Sequence, residues 1–409
     1  MNHSKIDFAQ RNTGIDLFRA LTMFVMIFVN DFWKIHDVPH WLEHATRGED
    51  FLGLADVVYP CFLFVVGMSI PFAIERRYNK GMSGESTIGH IFSRSLALLV
   101  MGVFITNSEA RLSPDVSYRI GVYWFLMVAA FICVWNQYPA TDNPGRKRLY
   151  TILKGTGVII LLFLAITFRD PKGGVFGANW GILGSIGWTY LLCALIYVFT
   201  RDRLKYLIPI WIVFVIICIL GSRMNQSWGE TSILSFPRPN FYNEILGILH
   251  IGNGAVPAFT MGGIILSLIS TKYIQVPVRK KVVYVVAAIV IFLLVGILSR
   301  QFWILAKLGA TPTWIFIVTA IAIGTYSILS WLAEKGKDSW LNVIKPAGTA
   351  TLTCYMMPYV SYGLADVTGI ILPDWFTYGL MGIINCLCFA LIIIGGTWLL
   401  ERIHIKLKV

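Results

Sequence analysis

Apolar stretches of roughly 20 residues recur from one end of this 409-residue chain to the other. As a helix, each is long enough to cross about 30 Å of hydrocarbon. Backbone N–H and C=O groups in hydrocarbon must be satisfied within the segment, which makes such stretches helices rather than open strands. Twelve spans are expected, at 15–33, 52–74, 89–107, 118–138, 150–168, 181–199, 205–221, 252–270, 282–299, 313–333, 347–367 and 376–399. Lys154 and Gly155 interrupt the fifth, and Gly252, Gly254 and Pro257 loosen the eighth, so the bundle counts ten to twelve helices. The expected fold class is all-α, a polytopic integral-membrane helix bundle with residues 1–409 as one transmembrane domain. Composition agrees: 14% of residues are charged, against about 25% in a soluble domain.

Charge then orients the bundle. The connections on the side that holds both termini carry more than twice as many lysines and arginines as those on the other side. The positive-inside rule therefore places both termini in the cytoplasm. A net charge of +12 is explained by topology and lipid headgroups, so the lipid bilayer is the expected partner and nucleic acid is not. The first apolar run follows Lys5, Asp7 and Arg11 without a small-residue cleavage site and is expected to remain as a span. Seven cysteines lie inside apolar runs with no CxxC pair and read as packing residues. The absence of a large outer domain fits a multi-pass protein of a bacterial inner membrane, and a homodimer is allowed.

Ionisable groups inside spans are costly and mark function by default. Asp16 and Arg19 stand three apart in the first span and share a helix face near its cytoplasmic end. That spacing suits a structural ion pair, or an Arg19 that meets an anionic cofactor. Arg94 lies within the third span. Asn30 ends the first span outward and Asp56 begins the second inward, joined by a connection with His36, His40 and His44. Asn30, His44 and Asp56 are therefore expected to converge at the outer end of one helical hairpin. A histidine accepts and returns a proton near neutral pH. A carboxylate on its other nitrogen fixes the tautomer, and an amide can donate to a developing oxyanion. That set suits acyl transfer.

Histidines spaced four apart would stack three imidazoles on a helix, but Pro39 argues against an unbroken helix, so no metal is expected. A second outer connection, 222–251, mixes Trp228, Phe236, Phe241 and Tyr242 with Asn225, Gln226, Glu230, Asn240 and Glu244. It suits a sugar ring, or an aromatic belt at the interface.

Asp16-Leu-Phe-Arg19 running on to Asn30, then His44-Ala45, then Asp56-Val-Val-Tyr-Pro60 with Phe62 and Gly67-Met-Ser69, resembles the opening of the heparan-alpha-glucosaminide N-acetyltransferase family. Weaker echoes follow at Gly181–Tyr190, at Pro312-Thr-Trp314, and from Pro346 through Gly348 to Tyr355. The resemblance implies an acyl-CoA-dependent transferase that moves an acetyl group from cytoplasmic acetyl-CoA to a glucosamine-type amine across the membrane. It also implies that His44 and Asn30 are active-site residues. Asp56 would orient His44, and His40 is the rival base.

Acetyl-CoA, as co-substrate, carries several negative charges, so its nucleotide is expected on the cytoplasmic side. Arg19 with its partner Asp16, Arg76, Arg77, Arg94 and Lys280 of the Arg279–Lys281 run are the expected contacts. The chain departs from the family pattern in several places. Ala20 replaces a glycine, the Asn30–His44 link is longer, Gly184-Ser185 replaces a Gln-Arg, and residues 118–138 and 150–168 add two spans. The acceptor is therefore an amino sugar or another glycan. The rival readings are a membrane acyltransferase acting on a polysaccharide hydroxyl, and a solute transporter whose pathway is lined by Asp16, Arg19, Asn30 and Asp56.

Overall fold

The computed structural model describes residues 12–109, 112–222, 245–247, 250–273 and 276–408. The aromatic- and amide-rich stretch singled out between 225 and 244 lies outside the described residues. Within them the chain is an all-α polytopic membrane protein. Its helices are α1 (Thr13–Asn30), α2 (Leu54–Asn79), α3 (Gly84–Glu109), α4 (Ile120–Trp135), α5 (Pro144–Thr167) and α6 (Gly181–Thr200). They continue as α7 (Leu204–Gly221), α8 (Ala255–Leu268), α9 (Val278–Ser299), α10 (Pro312–Glu334), α11 (Thr351–Thr368) and α12 (Gly379–Arg402). Each expected span coincides with one of these helices. Nine helices among the described residues are long and apolar enough to cross a membrane, and α4 is a shorter apolar helix. Lys154 and Gly155 do not break α5, which starts on Pro144 with Asn143 Oδ1 capping the N–H groups of Gly145 and Arg146.

The chain divides into two compact units. The first comprises Met1–Thr22, Pro39–Ser95 and Trp188–Leu341. Within it α2 packs along α8, α7 along α8, and α9 along α10. The α2–α8 contact is close because glycines face each other's backbone. A Cβ on Gly67 would meet the Thr260 carbonyl oxygen at 1.9 Å, and one on Gly263 would meet that of Phe64 at 2.0 Å. Small residues at such crossings let helices approach where lipid tails give no hydrophobic drive. The start of α8 is set by Gly254, at φ 89°, a conformation that favours glycine. The outer surface of α9 is almost wholly apolar: Val282, Val283, Val286, Val290, Ile291, Leu294, Ile297 and Leu298 are all exposed. A face of that composition belongs in lipid, not water.

The second unit comprises Met23–Val38, Leu96–Gly187 and Asn342–Val409. Here α4 packs on α5 and on α11, and α11 on α12. The connections that precede the site are short 3-10 turns, Asp31–Lys34 and His40–Leu42, on either side of Pro39. The three histidines of this stretch therefore do not stack on one helix.

Gly67→Ala should lower stability by about 1–3 kcal/mol, the usual range for overpacking a tight contact. A thermal melt in detergent checks this, and an unchanged Tm would contradict the close α2–α8 crossing.

Candidate active site

The first turn of α2 holds Asp56 almost fully buried, with its side chain 1% exposed. A buried carboxylate needs donors, and the preceding loop supplies them. Oδ2 accepts the backbone N–H of Ala45 at 2.8 Å and that of Gly53 at 3.3 Å. Oδ1 lies 2.7 Å from Nδ1 of His44. The backbone carbonyl of Asp56 accepts the indole N–H of Trp314 at 3.1 Å, and Trp314 is itself placed by the Thr311 cap at the start of α10.

That arrangement decides the histidine tautomer. A carboxylate only accepts, so the short contact requires the proton on Nδ1. Nε2 then carries a lone pair and has no protein partner among the described residues. His44 remains half exposed, with 48% of its side chain open. An oriented imidazole with a free, accessible nitrogen is the geometry of a general base.

Lys307 was not expected from the sequence. Its Nζ lies 3.9 Å from Asp56 Oδ1 and 3.2 Å from His44 Nδ1. With Nδ1 donating to the carboxylate, the lysine contact is one of charge rather than a hydrogen bond to the ring. Burial pulls the Lys307 amine below its ordinary range, while the Asp56 charge pushes it back up. Lys307 sits 263 residues from His44 in the α9–α10 connection, and no motif near it in the sequence signals a role.

The α9–α10 connection is fastened to the histidine loop a second time. Asp50 accepts from Arg300 Nε at 2.8 Å and from the Leu305 N–H at 2.8 Å. The rival histidine is engaged: His40 Nε2 lies 2.8 Å from Glu49 Oε1, and its ring packs on Phe51 at 4.2 Å. Hydrogen bonds from the Thr46 N–H and hydroxyl hold the Glu49 carboxyl below its usual range, with smaller help from His40. His36 stacks on Tyr378.

The structure thus brings His44 and Asp56 together. Asn30 belongs to the second unit, where it lines a cavity. Asp16 and Arg19 form the expected ion pair at 3.0 Å, and Arg19 also donates to Ser69 Oγ. Arg94 lies over the Tyr190 ring at 4.7 Å. Arg77 donates to the Ser86 carbonyl at 3.0 Å. The Nε atoms of Arg77 and Arg94 are buried without a partner among the described residues. Lys280 is exposed at the start of α9, and Arg76 is in the last turn of α2. Among the described residues no three His, Cys, Asp or Glu side chains are placed to hold a metal ion.

Residues 11–140 match the model of a family described as heparan-alpha-glucosaminide N-acetyltransferase, catalytic. Over this segment the chain is similar to the heparan-alpha-glucosaminide N-acetyltransferase family. Two curated relatives carry that name. The mouse protein is 29% identical over 144 residues, 32% of this chain and 21% of its own length. The human protein is 29% identical over 200 residues, 43% of this chain and 28% of its own length. The match therefore spans less than a third of either relative. The family segment contains Asp16, Arg19, Asn30, His44, Asp56, Arg76, Arg77 and Arg94, whereas Lys280 and Lys307 lie beyond it.

Acylation of Lys307 by acetic anhydride, located by mass spectrometry across pH, checks the charge contact. The amine reacts when neutral, so burial should make Lys307 react at lower pH than an exposed lysine. Asp56→Asn removes the charge that opposes burial and should move the profile to still lower pH. An unmoved profile would contradict the contact.

Proposed function

We propose that this chain is a transmembrane N-acetyltransferase that moves the acetyl group of acetyl-CoA to the amine of a glucosamine-type acceptor, with His44 as general base. The observation that carries the proposal is the Asp56–His44 pair, with Nε2 uncommitted and open, inside the segment that matches the family. The names of the mouse and human relatives support the acceptor class. The lysine and arginine asymmetry supports a donor bound on the cytoplasmic side and an acceptor on the other.

In this reading the acceptor amine attacks the thioester carbonyl while His44 Nε2 takes the proton that the amine loses. The C–N bond forms, the C–S bond breaks, and the imidazolium returns the proton to the departing thiolate as free coenzyme A. Asp56 keeps Nδ1 protonated and stabilises the imidazolium as it appears. Lys307 is a positioning residue: it adds positive charge beside the carboxylate and touches no reacting atom.

A stepwise route would begin with Nε2 attacking the thioester to form an acetyl-imidazole. The direct route needs only proximity and a base, and it is the one proposed. The donor is anionic, and the residues proposed for it fit an anion. Among the described residues Arg77 and Arg94 each keep a buried N–H unspent, and Arg19, Arg76 and Lys280 are cationic, with Asp16 orienting Arg19.

The test uses purified protein in liposomes of verified orientation, labelled acetyl-CoA on one side and glucosamine on the other. His44→Ala should lower kcat by about 10²–10⁴-fold, the usual contribution of a positioned base. Asp56→Asn should fall by a similar factor, and His40→Ala should keep most of its activity. No labelled enzyme should survive a rapid quench, since none is formed by direct transfer. Product on a sugar hydroxyl would favour the polysaccharide acyltransferase. Solute flux with no acetyl product from a panel of sugars would overturn the transferase.

A further inference from the structure

The first unit contains a cavity of about 390 Å³ among α2, α7, α8, α9 and α10. It is long and narrow. Lys281 and Phe292 both line it, eleven residues apart on α9, which is about 16 Å of helix. Thr319 and Ser330 line it from α10, again eleven residues apart. That length is about half of the 30 Å hydrocarbon core of a bilayer, the depth of one leaflet.

The two ends of the slot differ in chemistry. Lys281 Nζ pairs with Glu334 Oε1 at 3.1 Å, which brings the start of α9 to the end of α10. Ser270, Tyr284, Tyr326, Ser327 and Ser330 line the slot towards that end, with Ser270 Oγ 3.4 Å from the Tyr326 hydroxyl. Beyond Tyr326 the walls are hydrocarbon and rings, among them Phe64, Leu266, Val285, Ala288 and Ile323. Among the described residues, only the Thr319 hydroxyl and the Trp211 indole add polar side-chain groups there. The Trp211 and Phe292 rings meet edge to face at 6.0 Å across the inner end.

The slot also opens sideways. Ile208 of α7 and Tyr284 of α9 both line it and are both exposed. The outer surface of α9 belongs in lipid, so this opening faces hydrocarbon. The occupant must be a chain that enters from the bilayer and carries its polar group at the Lys281 end.

Charge selects that polar group. The Lys281–Glu334 pair is open to solvent, and such pairs are weak and exchange readily. Arg279, Lys280, Lys335 and Lys337 flank it on the same ends of α9 and α10, with Asp338 as the one further carboxylate among the described residues there. Basic pockets between membrane helices take anionic lipid headgroups. The arm of coenzyme A fits less well, because its amides would find few partners beyond Tyr326.

We propose that this slot holds one acyl chain of an anionic glycerophospholipid, with the phosphate beside Lys281 and the chain end against Trp211 and Phe292. The lipid fills the gap between α7 and α9 as a bound component, distinct from the bilayer that bathes their outer faces. The inference is independent of the transferase reading.

The test uses the purified full-length chain in phosphatidylcholine nanodiscs with a trace of phosphatidylglycerol that carries a photoreactive diazirine at the end of one acyl chain. Irradiation and peptide mapping locate the label. It should concentrate around Trp211, Ala288 and Phe292 rather than on Val290, Ile291 and Leu294, which are exposed at similar depth. Unlabelled phosphatidylglycerol should compete about tenfold better than phosphatidylcholine, the scale of one charge-assisted contact. Ala288→Phe fills the slot and should abolish the focused label while the outer-face label stays. Lys281→Gln leaves the apolar walls intact and should erase the headgroup preference, with a thermal melt to show that each variant is folded.

Label spread evenly around α9, or focused label that survives Ala288→Phe, would overturn the proposal. Equal competition by the two lipids, or displacement of the label by coenzyme A, would overturn it as well.

Discussion

Asp56 spends one carboxylate and one carbonyl on five neighbours, and the path of the histidine loop follows from that demand. The Ala45 and Gly53 N–H groups, the His44 ring and the Lys307 amine converge on a side chain that is 1% exposed, and the Trp314 indole donates to the backbone carbonyl of the same residue. A charge so buried is tolerated only when it is surrounded by donors. Removing it would leave two backbone donors without acceptors, at about 1–3 kcal/mol for each buried group. It would also free the imidazole to turn. Loop path, helix start and base orientation are therefore one interaction seen from three sides.

The membrane explains why this chemistry sits where it does. Helical segments satisfy their own backbone and can face lipid, as the exposed valines and leucines of α9 do. Irregular backbone cannot face lipid, so the turns that carry His40 and His44 fall between α1 and α2. There His40 and His44 are answered by Glu49 and Asp56. The glycine contacts between α2 and α8 bring the helix that carries Asp56 against its neighbour without bulky side chains between them.

The helices were legible because a 20-residue apolar run has few other physical outcomes. Even the fifth and eighth spans, which Lys154, Gly252 and Gly254 interrupt or loosen in sequence, coincide with helices; Lys154 lies within a lipid-length helix, and the glycines precede Ala255. The Asp56–His44 pair was legible for a similar reason, since twelve residues joined by one turn leave little room to separate.

Lys307 was not legible. Its meeting with Asp56 depends on α9 and α10 returning the chain to the same end of the first unit, and nothing local marks it. Asn30 lies in the second unit, where Trp33, Glu109 and Tyr359 share its cavity. Those partners lie in separate helices or in the α1–α2 connection, so no spacing rule could gather them.

The claim on which the chemistry depends is that His44 carries its proton on Nδ1 and offers Nε2. Nitrogen-15 NMR of histidine-labelled protein measures this directly, with the His44 signals assigned by their loss in His44→Gln. The account predicts a protonated Nδ1, a strongly deshielded proton shared with Asp56, and an unprotonated Nε2 in the neutral ring. A neutral His44 with its proton on Nε2 would contradict it, because the nitrogen open to substrate would then have no lone pair to give.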